Sequence, residues 1–142
     1  MPEVVRTELE VRWGECDAAG IVYHPNYIDW FSIARMHFLG ENGVSYMKAF
    51  QDKGIVLVVL DVGCRFKKTL RAEDRVIVEA RLALLTKTRL RMVYQVIDEN
   101  GTLCAEGYTE HAYVDVHNKA VNIAKREPAL WAQLASFQTL IV

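Results

Sequence analysis

The chain has 142 residues, 51% of them hydrophobic, a net charge of −1 and three cysteines. A chain of this length fits a single domain, residues 1–142, able to bury roughly 70% of the surface its unfolded form exposes, so no covalent or metal staple is required. The charge excludes a general nucleic-acid binder, and Cys16, Cys64 and Cys104, odd in number and far apart, exclude a zinc knuckle or C-x-x-C pair and point to free thiols in a reducing compartment.

The amino end, Met1-Pro2-Glu3-Val4-Val5-Arg6, lacks a basic segment followed by an apolar run. The longest aliphatic run, residues 55–60, is too short to span a bilayer, so the expectation is a cytoplasmic protein that contacts no membrane. Val5, Thr7, Leu9 and Val11 alternate with Arg6, Glu8, Glu10 and Arg12, the period of a half-buried strand. A loop follows, with Glu15 and Asp17 two residues apart, Gly20 suited to a tight turn and Pro25 suited to the first turn of a helix.

Residues 26–39 are apolar on most sides, which predicts a buried helix. Its few polar positions, Asp29, Ser32 and Arg35, form a seam fit to face a subunit boundary or a ligand. Gly40 and Gly43 supply a stop, and a short helix is expected over about residues 45–51. From residue 55 to residue 116 the chain reads as long strands with short connections, including an Asn100-Gly101 hairpin, and these are expected to form one antiparallel meander. A last helix opens at Pro128 with Trp131, Leu134 and Ala135 on one face.

A helix apolar on nearly all sides, set between one strand and four more, has to be wrapped by the sheet, because no second layer is available to cover it. The expected fold is therefore α+β: a hotdog, with an antiparallel sheet of about five strands around a long central helix and a C-terminal helix besides. Open sheet edges invite pairing, so an oligomer is expected, with a symmetric homodimer the commonest solution.

The run from Glu15 through Asp17, Gly20, Tyr23, His24, Pro25 and Asn26 to Tyr27, with Ala34-Arg35 downstream, resembles the 4-hydroxybenzoyl-CoA thioesterase family and the acyl-CoA thioesterases encoded beside the Tol-Pal system. That resemblance implies a thioester hydrolase acting on acyl-CoA, without metal or organic cofactor, as a homodimer often assembled into a homotetramer with active sites between subunits. It implies Asp17 as the catalytic carboxylate and residue 24, His24, as the residue whose main-chain N–H faces the thioester carbonyl. Chemistry agrees: thioester hydrolysis needs an attacking oxygen and oxyanion stabilisation, and a carboxylate beside a helix start offers both. Whether Asp17 attacks the acyl carbon or deprotonates a water is left open by the residues.

Glu15 reads as loop support, and Cys16 as a small apolar filler rather than a nucleophile. Tyr23, Pro25, Tyr27 and Ser32 are expected to contact the acyl group, with Trp30 and Phe31 completing an aromatic wall. Position 32 carries an acid in both branches resembled but Ser32 here, which supplies no charge for a phenolic group. Between residues 65 and 91 there are nine basic residues against three acids. Within that segment Lys87, Thr88 and Arg89 align with the family's CoA-binding connection. The expected function is hydrolysis of a short-chain or aromatic acyl-CoA to the free acid and CoA. The alternatives are a hotdog dehydratase or hydratase on an acyl thioester and a non-catalytic protein that binds acyl-CoA or an acyl-carrier protein.

Overall fold

In a computed structural model the chain is described over residues 4–136, so the first three residues of the amino end and the last six of the expected 1–142 domain lie outside the described residues. The first strand, β1 (Val5–Glu10), leads through a 3-10 turn (Trp13–Glu15) into the long helix α1 (Pro25–Glu41). After the short helix α2 (Tyr46–Ala49) come β2 (Val56–Phe66), β3 (Arg75–Leu85), β4 (Arg89–Asp98) and β5 (Leu103–Val114). Two helices close the described chain, α3 (Ile123–Arg126) and α4 (Pro128–Ala135). None of the helices among the described residues is long and apolar enough to cross a membrane.

The strands form one antiparallel sheet in the order β1-β3-β4-β5-β2. This corrects the expectation of a simple meander: β3, β4 and β5 are hairpin neighbours, but β2 pairs with β5 and β1 with β3. The reason lies in the connection from β2 to β3, which traverses one end of the sheet and is stitched there by main-chain hydrogen bonds. Lys67 N–H donates to Cys104 O, Val22 N–H to Leu70 O, Val11 N–H to Asp74 O and Glu73 N–H to Val11 O. A strand's own periodicity says which face is buried, not which neighbour it takes.

Helix α1 opens at Pro25, whose missing N–H costs nothing at a helix start. It buries Tyr27, Trp30, Phe31, Ala34, Phe38 and Leu39 and packs over β1 and β3. Phe31 stacks on Tyr94 of β4 at 4.4 Å between centroids and lies over Gly107 of β5. A Cβ at residue 107 would stand 2.6 Å from the Phe31 ring and 2.3 Å from Gly63 O, so only glycine lets the helix approach here. The wrapped-helix architecture expected from the sequence is thus the one observed.

Strand β5 ends at Val114 rather than reaching residue 116, because Asp115 Oδ1 accepts from the N–H groups of His117 and Lys119 and turns the chain. The short helix α3, capped by Asn122 Oδ1 on Lys125 N–H, has no counterpart in the sequence reading. Helix α4 buries Leu130 and Leu134 and fills the end of the core remote from the β2–β3 connection.

Candidate active site

Between β1 and α1 the chain folds into a tight hairpin closed by a bridge between Cys16 and Val22. Asp17 N–H donates to Ile21 O and Gly20 N–H to Asp17 O, with Gly20 at φ 80°, a conformation that suits glycine. Asp17 Oδ1 accepts from Ala19 N–H at 2.9 Å. Among the described residues Oδ2 makes no hydrogen bond, so an exposed carboxylate oxygen is held in a fixed place by its twin.

Glu15 is the knot beneath this loop. Its carboxylate is buried and accepts from Arg12 N–H at 2.8 Å, from the Trp30 indole at 2.8 Å and from the Arg12 guanidinium at 3.5 Å. Burial pushes the carboxyl pKa upward, but the Arg12 main chain, Trp30 and the Arg12 charge outweigh that effect and leave it below the ordinary value of 4.5. Its main-chain carbonyl accepts from Tyr23 N–H and from Asn26 Nδ2, which pins the start of α1 against the loop. The role of loop support read from the sequence is the one seen.

At the start of α1, Asn26 N–H turns back to Tyr23 O and Tyr27 N–H to His24 O, while Pro25 has no donor. His24 N–H has no hydrogen-bond partner among the described residues. It belongs to the end of the helix where the peptide dipoles concentrate positive potential. The His24 ring lies edge-on to Tyr23 at 4.9 Å and to Phe66 at 6.4 Å.

Asp17, Ile21, Val22, His24 and Tyr27 line one surface cavity of about 290 Å³ together with Phe66, Lys67, Lys68 and Thr69. Tyr27 meets Phe66 edge to face at 5.0 Å, and burial foremost raises its hydroxyl pKa to about 12, so it is neutral. Residues 66–69 were not anticipated. They arrive from the β2–β3 connection, and their only signal in the sequence was the two adjacent lysines after Phe66. Lys67 pairs with Glu106 at 3.7 Å and Lys68 with Asp98 at 2.5 Å.

Other expected contacts fall elsewhere. Trp30 and Phe31 are core residues rather than cavity walls. Tyr23 and Pro25 are exposed at the loop, and neither lines the cavity. Ser32 is half-buried, accepts from Arg35 Nη2 at 3.3 Å and donates to Ile28 O at 3.4 Å. Lys87, Thr88 and Arg89 sit at the turn between β3 and β4, beyond the far end of the 11-residue strand β3, roughly 35 Å from the end that borders Asp17. Within one chain they do not join Asp17. A larger groove of about 670 Å³ on the convex face of the sheet, lined by Arg65, Arg81, Arg91 and Tyr108, holds none of the residues of the Asp17 loop.

No group of three or more His, Cys, Asp or Glu among the described residues is placed to hold a metal ion.

The family description that matches the chain is the thioesterase-like superfamily, over residues 11–137. A 1,4-dihydroxy-2-naphthoyl-CoA hydrolase of Thermosynechococcus vestitus is 29% identical over 126 residues, covering 88% of this chain and 86% of that protein. The acyl-CoA thioester hydrolase YbgC of Escherichia coli O157:H7 is 23% identical over 101 residues, covering 71% of this chain and 75% of that protein. Among solved structures, the DHNA-CoA thioesterase of Staphylococcus aureus superposes with a TM-score of 0.90 at 27% identity, covering 94% of this chain and 89% of that one.

Proposed function

The chain belongs to the thioesterase-like superfamily, and from that membership we propose that it hydrolyses an acyl-CoA with a short-chain or aromatic acyl group to the free acid and CoA, the chain acting as one domain in the cytoplasm. The observation that carries this reading is a convergence: an uncommitted Asp17 carboxylate oxygen and the uncommitted His24 N–H belong to residues that line the same cavity. The names of the relatives, hydrolases and thioesterases of acyl-CoAs, agree with it.

In this reading the thioester carbonyl faces His24 N–H, which strengthens its hydrogen bond as the oxygen becomes an oxyanion. One such donor is worth about 2.7–4 kcal/mol of transition-state stabilisation. The free oxygen of Asp17 either attacks the acyl carbon, giving a mixed anhydride that water opens, or takes a proton from an attacking water. The sulfur leaves as a thiolate and is protonated to CoA. Tyr27 and Phe66 supply an apolar wall beside the reacting carbon.

The same reading includes a homodimer, or dimers paired as a tetramer. β2 is an edge strand with one row of main-chain N–H and C=O groups that pairs with no other strand among the described residues, an edge that a second copy of β2 takes up. Antiparallel pairing of the two β2 edges reverses the partner end for end, which brings Lys87 and Arg89 of the second copy to the end of the sheet where Asp17 stands. CoA phosphates reaching out of the cavity then meet those cations and Lys67 and Lys68.

Thiol release from a panel running from acetyl-CoA through long-chain acyl-CoAs to benzoyl-CoA tests the reading. Enzymatic release is expected for short or aryl members; release from none of them replaces it with the dehydratase or binding-protein alternatives.

A further inference from the structure

Beyond the Asp17 cavity, the face between α1 and β2 is open in the single chain. Because α1 lies over β1 and β3, it leaves the inward-facing side chains of β2 uncovered, and Val59, Val62 and Phe66 are exposed while Cys64 is half-buried. On α1, Ile28, Ser32 and Arg35 are half-buried, and Arg35 reaches Tyr94, whose hydroxyl bonds Thr109, the register partner of Val62. At one end Phe66 meets Tyr27 beside the cavity; at the other Leu57 N–H reaches the Tyr46 hydroxyl of α2 at 3.5 Å. The side chains named are apolar except for Ser32 and Arg35.

Arg35 makes no ion pair among the described residues. Nη1 donates to the Tyr94 hydroxyl at 3.1 Å and Nη2 to Ser32 Oγ at 3.3 Å, both neutral acceptors. A guanidinium has five N–H donors, so most of them remain. Nor does the network behind it supply an anion. The Tyr94 hydroxyl bonds Thr109 Oγ1 at 2.6 Å and Thr109 Oγ1 bonds His111 Nε2 at 2.8 Å, while His111 Nδ1 is buried with no partner. Arg35 thus carries a charge with neutral hydroxyls as its hydrogen-bond partners, and a carboxylate meeting its fork in parallel is the group that complements it best.

We infer that Arg35 is a specificity-determining residue that receives the far end of the acyl group, and that this end carries a carboxylate. The inference rests on the thioesterase reading, which sets the other end of the acyl group at His24. Arg35 folds back to the level of Ser32, eight residues along α1 from His24, roughly 12 Å at 1.5 Å per residue. The acyl group therefore bears several methylenes, or a ring with a short arm, between its two polar ends. Acetyl and benzoyl groups do not reach.

The test compares matched pairs with the wild-type protein: adipoyl-, suberoyl- and sebacoyl-CoA against hexanoyl-, octanoyl- and decanoyl-CoA. The carboxylate member is expected to win by about ten- to hundredfold in kcat/KM at one length of the series, chiefly through KM, the range of a hydrogen bond to a charged group. Arg35→Gln is expected to bring the members of that pair together, and Arg35→Lys, which keeps the charge but not the fork, to retain part of the preference. Should Arg35→Gln fail to fold, the wild-type series decides alone. Hydrolysis of the methyl-ended members with no carboxylate preference at any length overturns the inference and leaves the thioesterase reading standing. Release from none of the CoAs removes that reading, and the inference with it.

Discussion

The indole N–H of Trp30 donates to Glu15 Oε2 at 2.8 Å, joining the buried face of α1 to the turn that carries the Asp17 loop. Through that bond the core sets the position of a surface carboxylate two residues away. Trp30→Phe keeps most of the packing but takes a donor from a buried carboxylate, a loss of about 1–3 kcal/mol. Urea unfolding is expected to show that loss at neutral pH, and kcat to fall because the loop is no longer pinned. Because the folded-state pKa of Glu15 lies below its ordinary 4.5, the stability it contributes is present above that value and lost as pH falls through the folded value. Trp30→Phe is expected to shrink that acid-side loss; unchanged acid sensitivity contradicts the role given to the bond.

His111 makes a second, separate signature. Burial first, and then the nearby Arg35 charge, lower its pKa from 6.5 to about 4, so it is neutral inside the fold while the unfolded chain takes up a proton. Stability is therefore complete above about pH 6.5 and falls as pH drops toward 4. At about 1.4 kcal/mol per unit the loss is on the order of 3 kcal/mol. His111→Leu is expected to lose this slope whatever its effect at pH 7. A wild-type unfolding free energy that is flat between pH 6.5 and 4 contradicts it.

Part of this is legible in the sequence itself. The alternation around Val5 named a half-buried strand, the all-round apolarity of residues 26–39 named a buried helix, and the spacing of Asp17, His24 and Pro25 placed an acid before a helix start. Periodicity is a local property, however, and the crossing of β2 to the β5 edge is not. Phe66 to Thr69 entered the cavity only because hydrogen bonds to Cys104, Val22 and Val11 route their connection across the end of the sheet. Trp30 and Phe31 were misread as cavity walls for a related reason: on a helix apolar all round, nothing local separates a residue facing a ligand from one facing the sheet.

Ser32 bears on discrimination between aryl groups. Its hydroxyl already donates to Ile28 O and accepts from Arg35, so little of it is left for a phenol. Benzoyl-CoA and 4-hydroxybenzoyl-CoA are expected to differ by no more than about tenfold in kcat/KM, the worth of one neutral hydrogen bond, and Ser32→Ala to change rates modestly. A preference for the hydroxylated ring above a hundredfold, lost in Ser32→Ala, contradicts this.

Sites shared between subunits have a consequence that mixing tests. Asp17→Asn and the double variant Lys87→Ala/Arg89→Ala are each expected to be impaired, the first in kcat and the second in KM. A hybrid dimer of the two contains one site with an intact Asp17 and, across the interface, an intact Lys87 and Arg89. The isolated hybrid is expected to recover up to about half the wild-type kcat/KM. No recovery in an isolated hybrid places the CoA phosphates on the same chain as Asp17, where Lys67 and Lys68 are the cations at hand.

The central claim is that Asp17 carries acyl-CoA hydrolysis, and single-turnover thiol release by Asp17→Asn measures it most directly. The swap is nearly isosteric and leaves the loop's hydrogen bond to Ala19 N–H in place. With the wild type releasing CoA, the variant is expected to bind acyl-CoA with similar affinity, melt at a similar temperature and release thiol about 10²–10⁴ times more slowly, the range for a positioned acid–base group. Turnover within a fewfold of wild type contradicts the account and moves the chemistry off the carboxylate.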